Sequence, residues 1–151
     1  MKRLLVIDGQ GGRIGRSLIE QLAARFSEEE LEITAVGTNA SATAGMMKAG
    51  GSRIRGATGE NAVVVCSRRA DIIAGPLGIV MADALLGEIT ERAACAVSSA
   101  SAVRVLIPMN RTQCDNIIAG VPDVPLGTLI GAAAEEIGKL VKGGGGGTAD
   151  P

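Results

Sequence analysis

The apolar positions of this chain fall into short runs and helical stripes that alternate from the start. Leu4, Leu5, Val6 and Ile7 form a run too short for an independent helix and are met at once by glycines, which predicts a buried strand over 3–8. From Arg13 to Phe26, Ile14, Leu18, Leu22 and Phe26 recur four apart, with Ile19 and Ala23 beside them and Arg16, Glu20 and Arg25 opposite. That spacing predicts an amphipathic helix lying on the strand. After the acidic turn 28–30, Leu31, Ile33, Ala35 and Val36 read as a second strand ending at Gly37. Thr38, Asn39 and Ser41 offer caps for a small-residue helix over 40–49, which Gly50 and Gly51 stop. Such alternation predicts parallel strands joined by right-handed crossovers.

The stretch 58–75 allows two readings. Val63, Val64 and Val65 favour a strand, but they stand too close to the strand at 71–75 for a parallel crossover, so two strands here would form a hairpin. The reading that preserves the alternation is a short strand at 52–55 followed by a helix from Gly59 to Arg69. Pro76 suits the first turn of a helix over Leu77 to Leu86 that is apolar nearly all round, and such a helix needs covering by further protein or by a second subunit. Thr90 caps a shorter helix, and Val103, Val105 and Ile107 begin a strand ended by Pro108. The short connection to the apolar run Asn116 to Val121 predicts an antiparallel edge hairpin turning at 110–112. A last helix spans about 124–141, with Pro125 in its first turn, and the glycine-rich 143–151 reads as a flexible tail. The expectation is one α/β domain over 1–142, its sheet mostly parallel.

Composition sharpens this picture. There is no histidine, tryptophan or tyrosine and a single phenylalanine, so triads and metal centres built on imidazole are excluded and no aromatic platform exists for stacking nucleobases. Fifteen basic against sixteen acidic residues leave a net charge of −1, which argues against a nucleic-acid partner. Cys66, Cys95 and Cys114 make neither a CxxC pair nor an even disulfide framework, no secretory leader pattern opens the chain, and no apolar stretch is long enough to span a membrane. A cytoplasmic protein is expected, with its thiols serving as small core residues.

The chemistry concentrates between the first strand and the first helix, at Asp8, Gly9, Gln10, Gly11, Gly12, Arg13, Ile14 and Gly15. Glycines there let the chain turn and let bare amides approach an anion, while the helix N-terminus offers unpaired N–H groups and a partial positive charge to a phosphate. The spacing is GxGxxxG, not the dinucleotide GxGxxG. Residues 4–22 resemble the cofactor loop of dihydrodipicolinate reductases, apolar strand then GxxGRMG then helix, with Gly9, Gly12, Arg13, Ile14 in place of Met, and Gly15 in the matching positions. That resemblance implies a loop holding the pyrophosphate of NAD(P)H. The family's His-rich catalytic motif is missing, so its reaction is not implied. A second resemblance, carried by IDGQGG at 7–12, GTNA at 37–40, GATGENA at 56–62, GPLGI at 75–79 and LGEIT at 86–90, is to an uncharacterised family of short bacterial Rossmann-like proteins. It implies a Rossmann-like, doubly wound sheet and no particular activity.

A dinucleotide site also calls for an acidic residue at the end of the second strand, to bond the ribose hydroxyls. Gly37, Thr38 and Asn39 stand there instead. A neutral hydroxyl and amide could take a 2′-phosphate, with Ser41 and the basic residues Lys48, Arg53 or Arg55 assisting, which points to NADP; the other reading is that these cations are solvated surface charges. Gly75 and Pro76 make a second strand-to-helix turn at the same sheet edge, either closing a cleft or permitting tight packing. Candidates for catalysis are sparse: Asp8, Glu60, Asn61, Asn110, Arg111, and Cys66 should Arg68 and Arg69 depress its pKa. The leading expectation is a nucleotide-binding sensor or accessory module. Its alternatives are an NAD(P)-dependent oxidoreductase completed by a second subunit across helix 77–86, and a scaffold without a ligand.

Overall fold

A computed structural model describes residues 1–108 and 117–143. Strand β1 (Lys2–Asp8) leads into helix α1 (Arg13–Arg25), β2 (Leu31–Gly37) into α2 (Ala40–Gly50), and β3 (Arg55–Thr58) into α3 (Glu60–Ser67). Then come β4 (Ile72–Pro76), α4 (Glu91–Ser98), β5 (Val103–Ile107) and α5 (Leu126–Val141). The five strands form one sheet in the order β3-β2-β1-β4-β5, every neighbouring pair parallel. The order reverses beside β1, whose Val6 is in register with Ala35 on one side and Ala74 on the other.

Strand side chains point alternately to the two faces, and β1 shows what that does. Leu4 and Val6 join a core with Leu18, Leu22, Met46 and Ile137, contributed by α1, α2 and α5. Leu5 and Ile7 join another with Val63, Ile79, Leu85 and Val97, on the side of α3 and α4. A strand covered on both faces must be apolar at consecutive positions, which is why its pattern is a run and not an alternation. In α5, Ile130, Ala133, Ala134 and Ile137 are buried at helical spacing, and Arg25 of α1 reaches Glu135 at 2.8 Å across the helix pair.

The helical reading of 59–69 is the one observed, although its strand sits at Arg55–Thr58 and 51–53 forms a 3₁₀ turn. Thr90 caps α4 as expected, its Oγ1 accepting from the Ala93 amide at 3.1 Å.

Two expectations are corrected. No antiparallel edge hairpin is seen among the described residues: β5 runs parallel to β4, and 117–121 is turn and irregular backbone. The intended hairpin turn, with Asn110 and Arg111, lies outside the described residues, as do residues 144–151. The helix expected over 77–86 is instead a 3₁₀ turn, Leu77–Val80, followed by a chain of tight turns in which Asp83, Leu85, Leu86 and Gly87 all have positive φ. Tertiary contacts outweigh propensity here. The segment buries Ile79, Leu85 and Ile89 on its own sheet and closes on itself through Asp83 N to Ile89 O and Ile89 N to Ala84 O. Ile79, Leu85 and Ile89 are thereby covered within the chain while Leu86 stays exposed, and the interface helix invoked for a second subunit is not there.

Candidate functional site

Asp8 ends β1 under the glycine loop and is 5% exposed. Its Oδ1 accepts from the Gly9 amide and its Oδ2 from the Gly15 amide, both at 2.8 Å. Burial pushes its pKa up, the amides of Gly15, Gly9 and Ile14 oppose that rise, and the nearby Glu88 charge adds to it. Both oxygens are thus spent holding the loop on the helix start, a positioning task and not proton transfer.

The loop itself turns through Gln10 and Gly12, at φ 49° and 69°, closed by Gly12 N to Gly9 O at 2.9 Å. Its glycines serve different purposes. A Cβ on Gly12 would stand 2.8 Å from the Ala42 carbonyl oxygen, and one on Gly15 would meet the Met46 sulfur, so these two let α1 and α2 close up. A Cβ on Gly11 would find nothing nearer than the Arg13 side chain at 3.9 Å. Of the loop glycines Gly9, Gly11, Gly12 and Gly15, Gly11 alone has open space before it, and its amide, like that of Arg13, has no acceptor among the described residues. The Arg13 guanidinium is exposed and in no ion pair with a described carboxylate.

These groups face a cleft of about 260 Å³ lined by Asp8, the loop from Gly9 to Ile14, Pro76, Leu85 and Leu126. Pro76, which the sequence placed at this edge, lines the cleft. Gly75 does not line it: a side chain there would run into the Ile7 carbonyl oxygen of β1, which makes this glycine a packing requirement.

Sequence reasoning missed Glu88. Reaching across from the turn before α4, its carboxylate accepts from the Gln10 amide (3.1 Å to each oxygen), from Thr38 Oγ1 (2.9 Å) and from Asn39 Nδ2 (2.6 Å). Asn39 also donates to the Gln10 carbonyl and caps α2 through Ala42 N. An acidic group thus stands at the end of β2 after all, supplied from 78 residues away from Gln10. The vacancy at Thr38 and Asn39 was the available signal, since some carboxylate from another loop of the same edge could fill it.

Partial burial pushes the Glu88 pKa up, but the hydrogen bonds from Asn39, Thr38 and Gln10 outweigh it and hold the group below the usual carboxylate range. A depressed folded pKa means stability that is present above the unfolded value and is lost as pH falls through the folded one. Denaturant unfolding between about pH 5 and 3 should therefore show an acid-side loss that Glu88→Gln flattens. Asp8, with its raised pKa, contributes the opposite slope and remains in both proteins. Equal acid slopes would mean that Glu88 contributes nothing through these contacts.

The remaining candidates lie elsewhere. Arg53 donates to the Ala23 and Phe26 carbonyls at the end of α1, and Arg55 pairs with Glu32 at 3.1 Å. Arg55 opens β3 level with Thr34 in the middle of β2, and Thr58 ends it level with Gly37, so Arg55 stands back from the carboxyl edge, and neither it, Arg53 nor Lys48 lines that cleft. Glu60 pairs with Arg92 at 3.6 Å, and Asn61 is exposed beside it on α3. Cys66 shares a separate hollow with Arg3, Arg55 and Arg69, and burial pushes its thiol up despite Arg69, the opposite of the depression that the nucleophile reading requires. A wider open groove, about 800 Å³, runs between α3 and α4 past Arg68, Arg92 and Cys95. Among the described residues no His, Cys, Asp and Glu cluster could hold a metal, and no helix is long and apolar enough to cross a membrane.

Fold and site together define an α/β protein whose parallel sheet carries a glycine-rich loop beside the point where strand order reverses. The chain belongs to a family described as a domain of unknown function, DUF3842, whose model matches residues 3–142. No curated protein and no solved structure matches it.

Proposed function

We propose that this is a Rossmann-like nucleotide-binding protein that seats a ligand phosphate on the loop from Gly9 to Gly15 and acts as a sensor or accessory module. The observation that carries the reading is the trio of the Gly11 amide, the Arg13 amide and the Arg13 guanidinium, in no ion pair among the described residues, on one cleft at the carboxyl edge. Open α/β sheets bind ligands at that edge, beside a switch in strand order, because the loops there diverge and helix N-termini converge. Leu85, Pro76 and Leu126 give the cleft an apolar wall against which a base or ribose can lie. Asp8 and Glu88, the carboxylates nearest the cleft, already accept from the loop and from Thr38, and among the described residues no acid/base pair lines the cleft, which favours binding over turnover.

Thermal melting against NAD(H), NADP(H), flavins and purine nucleotides tests the reading. A ligand at 100 times its Kd stabilises by about 2.7 kcal/mol, a rise of roughly 5–10 °C for a chain of this size. If no nucleotide raises the Tm, the proposal fails.

A further inference from the structure

Thr38 and Asn39 can receive a 2′-phosphate only if their donors are free, and they are not. Thr38 Oγ1 and Asn39 Nδ2 both donate to Glu88 Oε1, and Gln10 N divides its hydrogen between the two oxygens of the same carboxylate. Three donors converge on a half-buried negative charge at the end of β2, beside the loop proposed to hold phosphate. Among the described residues Glu88 Oε2 accepts only the shared Gln10 hydrogen, which leaves lone pairs to accept another. A ribose with free 2′ and 3′ hydroxyls brings two such hydrogens, whereas a 2′-phosphate brings a second negative charge against the first.

We infer that Glu88 makes this a site for a nucleotide with an unesterified ribose diol, of the NAD(H) or adenosine diphosphate class, and excludes nucleotides phosphorylated at the 2′ position. The inference rests on the nucleotide reading above and narrows it. Its unusual element is the source of the carboxylate. Where a dinucleotide site draws its acidic residue from the second strand, this chain delivers it from the turn between β4 and α4. In that turn Leu85 and Leu86 both sit at φ 57°, a left-handed conformation that L side chains rarely adopt, and the chain is closed there by Gly87 N to Asp83 O and Ile89 N to Ala84 O. Leu85, buried and in the cleft wall, and Ile89, fully buried, anchor the two sides of Glu88. The side chain is thereby positioned by packing and not by chance on a mobile surface.

The test is titration of the full chain with NADH and NADPH, followed by their own fluorescence, and by calorimetry with ADP and 2′-deoxy-ADP. The unaltered protein should bind NADH at least about tenfold tighter than NADPH, and ADP about tenfold tighter than 2′-deoxy-ADP, as a charged hydrogen bond to the 2′ hydroxyl requires. Glu88→Gln, which keeps the shape but not the charge, should bring the NADH to NADPH ratio to within about threefold of unity. The ADP comparison uses only the native chain and so decides the matter even if Glu88→Gln does not fold. Equal binding of the two dinucleotides, preference for NADPH, or indifference to the 2′ hydroxyl overturns the role of Glu88 and leaves the nucleotide reading standing. A uniform gain for every ligand in Glu88→Gln also overturns it, because Glu88 would then be a plug in the site. Binding of none of these ligands removes both readings.

Discussion

Gly12→Ala is expected to destabilise the protein by about 3 kcal/mol, a fall in Tm of roughly 6–12 °C. Gly12 holds φ at 69°, where an L side chain costs about 1–2 kcal/mol, and its Cβ would lie 2.8 Å from the carbonyl oxygen and 2.9 Å from the Cα of Ala42. Those neighbours are backbone of α2, so they cannot swing aside as the end of a flexible side chain could. Relief requires α1 and α2 to separate, which unpacks Met46 from Leu18 and Leu22 in the same core. The matching control is Gly11→Ala, whose Cβ meets open space, and whose Tm should stay within about 2 °C of the native value. Thermal and urea unfolding of the two variants measure this directly, and equal stabilities would refute the assignment of Gly12 to helix packing.

Gly11→Asp should abolish nucleotide binding while leaving the fold intact. A carboxylate there would stand where the ligand phosphate is proposed to sit, and two unit charges about 4 Å apart repel by about 4 kcal/mol at the effective dielectric of a protein surface, a loss of several hundredfold in affinity. Gly11 is the informative position because the same substitution at Gly12 would fail through α2 whatever the site binds. Calorimetric titration with whichever nucleotide raises the Tm most, beside a circular-dichroism melt, separates the two effects. Undiminished affinity in a folded Gly11→Asp protein would mean that the loop does not seat the phosphate.

The glycine loop shows how far local sequence reaches. Its placement between an apolar strand and an amphipathic helix was readable because both neighbours announce themselves by period. The division of labour among Gly11, Gly12 and Gly15 was not, since a glycine required by an approaching helix and a glycine left open for a ligand are the same letter. Gly75 is a like case: as a turn glycine it suggested a cleft, and the neighbouring Ile7 carbonyl shows that it is needed for β4 to lie against β1.

The segment from Leu77 to Ile89 failed the sequence reading for a different reason. Its composition is that of a buried helix, and isolated helical propensity is worth tenths of a kcal/mol per residue, while burying Ile79, Leu85 and Ile89 on the sheet is worth about 1.5–3 kcal/mol each. Three such contacts at irregular spacing are met by turns and not by a regular helix. The hairpin expected beyond β5 was misread because 117–121, apolar in sequence, is turn and irregular backbone, and an apolar run does not by itself show that a strand has a neighbour to pair with.

By itself, the sequence determined the α/β class, the parallel β1-α1-β2-α2 unit, the capping of α2 and α4 and the position of the glycine loop, because each rests on periodicity or on hydrogen bonds within a few residues. Tertiary structure alone decided that Glu88 completes the polar cluster at Gln10, Thr38 and Asn39, and that Asp8 is consumed in holding the loop. Convergence of donors on a carboxylate 49 to 78 residues distant is a property of the closed sheet, where loops far apart in the chain meet at one edge, and no local pattern encodes it.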